Sequence, residues 1–138
     1  MERSQTPDNP APTAFVDSSA IVAMVDRRDA AHEAAVAAYR DLLESGYRLF
    51  TTNFVVSETV GLLTDVMGAD VARQWLRDHR LTVYYADEQD ERRARALVIG
   101  SHSEQGLSYV DAISLVVMER LGVADAFAVD PNFLSETA

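Results

Sequence analysis

The chain is 138 residues long, 48% apolar, and carries 22 acidic against 12 basic residues for a net charge of −10, which suits one packed domain and excludes a disordered chain. It has no cysteine, and every basic residue is arginine, so disulfide frameworks, thiolate zinc centres, phosphate-cradling P-loops and Schiff-base chemistry are all excluded. The acidic balance argues against non-specific duplex binding, which depends on neutralising phosphates, and is compatible with a site that concentrates divalent cations.

Residues 1–12 are polar and rich in proline, without the apolar core of a secretory signal, and are expected as a disordered N-terminal extension to a single domain over 13–138. No apolar run is long enough to cross a bilayer, so the expectation is a cytoplasmic protein with no membrane partner. TAFVD (13–17) is a short apolar run ending in an acid and predicts a buried strand. SSAIVAMVD follows, with Ser18 or Ser19 placed to cap a helix. From about Asp29 to Glu44 the spacing of Ala31, Ala34, Ala35, Ala38, Leu42 and Leu43 predicts an amphipathic helix, stopped by Gly46. YRLFT (47–51) reads as a second strand, and Thr52 or Asn53 caps a helix to about Val66. A further helix runs from Ala69 to about His79, and LTVYY (81–85) is a third strand. Asp87 opens a charged helix to about Ile99, GSHSEQGL is a loop, and Ser108 caps a strongly apolar helix that closes near Leu121 and Gly122. AFAVD (126–130) is the fourth strand. Strands alternating with helices predict an α/β fold on a mainly parallel sheet.

Two of these strands end in aspartate, at Asp17 and Asp130, and open parallel sheets place their sites beyond the carboxyl ends of strands. Each has a plain structural alternative: Asp17 can cap the next helix, and Asp130, before Pro131, can open a turn. Glu58 shares a helical stripe with Val55 and Leu62, and Phe54 lies one turn away. A carboxylate among core-facing side chains is costly unless paired or coordinated, although one at the edge of the stripe reaches water. Asp111 opens the most apolar helix, where Ser108-x-x-Asp111 also fits a capping box. Taken together, the four acids occupy places that an α/β sandwich can bring to one edge of its sheet. His32, His79 and His102 are too scattered for a zinc site. Trp75 shares a stripe with Val71 and Ala72 and reads as core. Arg92, Arg93 and Arg95 read as a solvated face, although arginine suits bidentate phosphate contacts.

FVDSSAIVAMVD, TTNFVVSETVGLL, LSYVDAISLVVMERLGV and AFAVDPNF, in this order over about residues 13–134, resemble the four signature segments of the PIN-domain family, and most of all the VapC-type toxins of bacterial toxin–antitoxin pairs. In that resemblance Asp17, Glu58, Asp111 and Asp130 take the places of the four acidic residues in turn, and Ser18 that of the small polar residue after the first. It implies a three-layer sandwich whose central sheet of four to five mainly parallel strands, in the order 3-2-1-4-5, is flanked by helices, with the fifth strand short or missing here. It further implies an endoribonuclease, dependent on Mg2+ or Mn2+, that hydrolyses phosphodiester bonds in single-stranded RNA and leaves 5′-phosphate and 3′-hydroxyl ends. Asp17, Glu58, Asp111 and Asp130 would be both catalytic residues and metal ligands, since hard cations prefer oxygen. Asp17 and Asp111 would be the main direct ligands, with Glu58 and Asp130 serving a second ion or its water. The implied partners are RNA, an antitoxin protein and a second copy in a homodimer. The alternative is a catalytically silent or stand-alone PIN fold that binds RNA or protein. A phosphatase of the haloacid-dehalogenase type would need an aspartate where Ser19 stands, and a lysine; a receiver domain also fails on the lysine. A 5′-nuclease-like DNA enzyme would need insertions that thread DNA.

Overall fold

Four strands and six helices alternate along the chain in a computed structural model that describes residues 11–129. The strands are β1 (Thr13–Val16), β2 (Arg48–Thr52), β3 (Thr82–Tyr84) and β4 (Asp125–Phe127). The helices are α1 (Ser18–Val25), α2 (His32–Glu44), α3 (Asn53–Met67), α4 (Ala69–Asp78), α5 (Glu88–Gly100) and α6 (Tyr109–Leu121). Asp130, the expected fifth strand and all but Ala11 and Pro12 of the expected N-terminal extension lie outside the described residues.

All described strands are parallel, in the order β3-β2-β1-β4, and the helices flank the sheet to give the expected three layers. β1 is one of two inner strands, pairing Phe15 with Phe50 of β2 on one side and with Ala126 of β4 on the other. A strand covered on both faces needs a continuous apolar run rather than an alternating one, and Ala14, Phe15 and Val16 are all buried. The Phe15 and Phe50 rings meet edge to face at 5.6 Å, a favoured aromatic geometry. α6 supplies the other half of the core through Ala112, Ile113, Val116 and Val117, all buried, and ends on Gly122 at φ 69°, a left-handed turn that suits glycine.

Three boundaries differ from the sequence reading, each for a local reason. α1 is capped by Asp17 itself, not by Ser18 or Ser19. α2 begins at His32 rather than Asp29, because the Asp26 and Asp29 carboxylates accept hydrogen bonds from the Arg28 and Ala31 amides and hold that segment in turns. β4 covers Asp125–Phe127 rather than 126–130. Its ladder ends where the Asp17 amide donates to the Phe127 carbonyl, after which β1 has turned into α1.

A buried ion pair fastens α5 to α6. Asp87 and Asp90 form a reciprocal capping box at the start of α5, and Asp90 is 1% exposed. Arg120, in the last turn of α6, donates from Nε and from one terminal nitrogen to the two Asp90 oxygens, at 2.8 Å each. Its guanidinium lies over the Tyr84 ring, and Arg93 pairs with Glu119 nearby. Removing one partner of such a pair strands the other charge. Arg120→Met should therefore lower the unfolding free energy by about 2–3 kcal/mol in urea titrations, less than a fully buried pair would lose because Arg120 is partly exposed. Adding Asp90→Asn should recover part of that loss, and a double variant no better than Arg120→Met alone would contradict the assignment.

Candidate active site

Asp17 stands at the carboxyl end of β1 with only 4% of its surface exposed. Its amide donates to the Phe127 carbonyl at 3.0 Å, continuing the sheet, while its own carbonyl accepts from Ala20 and Ile21, starting α1. One carboxylate oxygen, Oδ2, accepts from the Ser19 amide at 3.2 Å and from the Ser19 hydroxyl at 2.7 Å. The other, Oδ1, is buried and has no hydrogen-bond partner among the described residues. Asp17 is thus the helix cap that the plain reading expected, but capping occupies only one of its two oxygens. Stranding a buried carboxylate oxygen costs about 1–3 kcal/mol or more, so an unpartnered one calls for an explanation.

The next residue reaches a second acid. The Ser18 hydroxyl donates to Glu58 Oε1 at 2.6 Å, a short charge-assisted bond across 40 positions of sequence. Glu58 is brought there by α3, which Thr52 caps by accepting from the Val55 amide. Thr51, fully buried, donates to the Val16 carbonyl at 2.8 Å and ties the end of β2 to the end of β1. The buried stripe of α3 is Val55, Thr59 and Leu63, whereas Leu62, expected to share the core face with Glu58, is 39% exposed. Glu58 lies one position off that stripe, half-buried and turned toward Ser18. Thr59 Oγ1 is a second buried oxygen without a partner, and nothing in the structure explains it.

Asp111 is half-buried in the first turn of α6, where the aligned peptide dipoles favour a negative charge. Its amide donates to the Ser108 hydroxyl at 3.1 Å, so the expected serine cap is present. α6 packs against α3. Among the described residues, no three acidic or imidazole side chains make a group ready to hold a metal ion. The fourth expected acid, Asp130, lies outside the described residues. The Val129 amide donates to the Ser19 hydroxyl at 3.0 Å, and that hydroxyl donates to Asp17. Ser19, considered in the sequence only as a helix cap, therefore ties the acid at the end of β1 to the chain leaving β4. The hint was the Asp17-x-Ser19 spacing, which favours a local side-chain turn.

The donor set fits a hard divalent cation. It offers carboxylate oxygens, one of them buried and unpartnered, and neither thiolates nor imidazoles. The histidines are engaged elsewhere or exposed. His32 Nδ1 lies 2.8 Å from the Ala23 carbonyl, joining α2 to α1. His79 accepts from the Leu81 amide and stacks on Trp75, and His102 is exposed.

The PIN domain family model matches residues 14–136. The chain belongs to the PIN-domain family. Over 111 residues it is 32% identical to a VapC ribonuclease of Archaeoglobus fulgidus, covering 78% of this chain and 71% of that protein. The fold is similar to the crystal structure of VapC20 of Mycobacterium tuberculosis, a toxin that cleaves the sarcin-ricin loop. That match has a TM-score of 0.76 at 29% identity and covers 88% of this chain and 93% of the other.

Ser18→Ala removes the hydrogen bond that links the Asp17 turn to Glu58. Loss of a hydrogen bond to a charged, partly buried group should cost about 1–2 kcal/mol of stability. Loss of an orienting contact should lower RNA cleavage about tenfold or more, mainly in kcat. Urea titration and steady-state kinetics check both numbers, and full-rate cleavage by Ser18→Ala would show that Glu58 needs no such support.

Proposed function

We propose that this PIN-domain protein is an endoribonuclease of the VapC type, dependent on Mg2+ or Mn2+ and acting on single-stranded RNA as the toxin of a toxin–antitoxin pair. The observation that carries the reading is the unpartnered, buried Asp17 Oδ1 at the carboxyl end of the central parallel strand. A silent binding module has no use for a stranded carboxylate oxygen, so the catalytic reading is preferred.

A divalent cation held by Asp17, Glu58, Asp111 and Asp130 would activate water and offset the charge that develops on the phosphate and the leaving oxygen. Asp17 supplies a fixed donor, because its other oxygen is locked by Ser19 and its backbone by Phe127. Glu58, held through one oxygen by Ser18, keeps its other oxygen for a second ligand or for orienting the attacking water. Asp111 adds charge from the start of α6, and Asp130 follows the tethered Val129. Hydrolysis of this kind leaves 5′-phosphate and 3′-hydroxyl ends.

The partner reading rests on surface and charge. A groove of about 300 Å3 is lined by Met24 and Val25 of α1, Tyr39 of α2, Trp75 of α4 and Leu81. An apolar antitoxin segment bearing arginines would suit that groove and the net charge of −10. Leu62 and Val66, 39% and 45% exposed and one turn apart on α3, give apolar surface for a second copy in a homodimer. No helix among the described residues is long and apolar enough to cross a membrane, in keeping with a toxin that works in the cytoplasm.

The full-length protein should cleave single-stranded RNA with Mg2+ or Mn2+, stop in EDTA, and fall to background as Asp17→Asn or Asp111→Asn. Cleavage that persists in EDTA, or in both variants, would sink the proposal.

A further inference from the structure

We propose that Tyr109, Phe54 and Arg95 form a nucleotide subsite beside the acids, where one base of the RNA stacks on the aromatic pair and its phosphate meets the arginine. The inference rests on the ribonuclease reading and gives it a substrate-positioning surface.

Tyr109 is the first residue of α6, two positions before Asp111, and is 37% exposed. Its ring centroid lies 5.7 Å from that of Phe54 at an interplanar angle of 56°. Phe54 stands on α3 four residues before Glu58, so a rise of about 6 Å, just over one turn, separates it from that acid on the same helix face. The pair therefore joins the start of α6, whose first turn carries Asp111, to the helix face of α3 that carries Glu58.

The ring is also held in place. The Tyr109 hydroxyl donates to Glu91 Oε1 at 2.9 Å. Partial burial, then the bond to Glu91 and its charge, raise the Tyr109 pKa above that of an ordinary tyrosine, with Arg95 opposing. An aromatic face fixed by that bond before binding loses little freedom when a base arrives.

The three arginines of α5 differ in the structure. Arg92 pairs with Glu88 and Arg93 with Glu119. Arg95 is exposed, makes no ion pair among the described residues, and stands one helical turn after Glu91, the residue that holds the Tyr109 hydroxyl. A solvated face explains Arg92 and Arg93. An unpaired guanidinium next to a half-exposed ring, beside an acidic site, is what a single-stranded nucleotide needs: a π-face for the base and a cation for the phosphate. Aromatic stacking tolerates any base, so the subsite would set where the strand lies more than which sequence is read.

The test uses full-length protein carrying Asp17→Asn throughout, so that the RNA stays whole. Single-stranded oligoribonucleotides bear 2-aminopurine at successive positions. One position should be quenched on binding, and Tyr109→Leu should abolish that quenching and weaken binding about five- to tenfold, the low end for stacking because one side of the ring already packs on Phe54. Tyr109→Trp keeps a stacking face and should retain affinity. An abasic residue at the quenched position should weaken the parent by the same factor but leave Tyr109→Leu unaffected, since both remove one interaction. Arg95→Gln should reduce the slope of log affinity against log salt by about 0.7–1, one phosphate contact. If Tyr109→Leu binds and quenches like its parent while the wild type cleaves RNA, the subsite is wrong and the ribonuclease reading stands. If the wild type neither binds nor cleaves RNA, both fall.

Discussion

The residue between β1 and α1 must satisfy two backbones at once. β1 lies between two parallel neighbours, so its carboxyl end is enclosed, and the chain leaves it straight into α1. Asp17 meets that constraint by pairing its amide with Phe127 and capping α1 with one carboxylate oxygen. Any good capping residue would do as much. The difference between a cap and a site lies in the second oxygen, which is buried without a partner among the described residues. The two serines that follow extend its reach: Ser18 to Glu58 on α3, and Ser19 to the chain leaving β4. The sheet order makes this possible, because β2 and β4 both flank β1 and deliver α3 and Val129 to its end.

The strand and helix order was legible because buried parallel strands leave short apolar runs such as TAFV and because capping residues mark most helix starts. Thr52, Asp87 and Ser108 all cap as their spacing suggested. The end of β4 was not legible. AFAVD looks like a strand throughout, but ladder pairing stops when the neighbour turns into a helix, and only a three-dimensional register shows where that occurs. The same holds for Glu58. Its stripe with Val55 and Leu62 predicted a core-facing carboxylate, yet the buried stripe includes Thr59, a polar residue that hydrophobic periodicity passes over.

Charge organisation follows a similar division. The Asp90–Arg120 pair crosses 30 residues of sequence, so no local pattern exposes it, whereas the capping box beside it is local and readable. The arginine run on α5 looks uniform in the sequence. In the structure Arg92 is committed to Glu88 one turn away and Arg93 to Glu119 on α6, and only the second of these pairs lies beyond the reach of a local pattern. Ordered acidic segments sufficed to suggest the family, and the match over residues 14–136 bears that out.

The account stands on Asp17 as a cap whose spare oxygen serves a cation, and Mn2+-dependent thermal melting of wild type and Asp17→Asn tests this most directly. Asparagine caps helices as well as aspartate, so the variant should fold and, without metal, melt close to the wild type or above it. A ligand at 100 times its dissociation constant adds about 2.7 kcal/mol, so Mn2+ should raise the wild-type melting temperature by several degrees and leave Asp17→Asn unmoved. Equal responses from the two proteins, or no response from the wild type, would contradict the account.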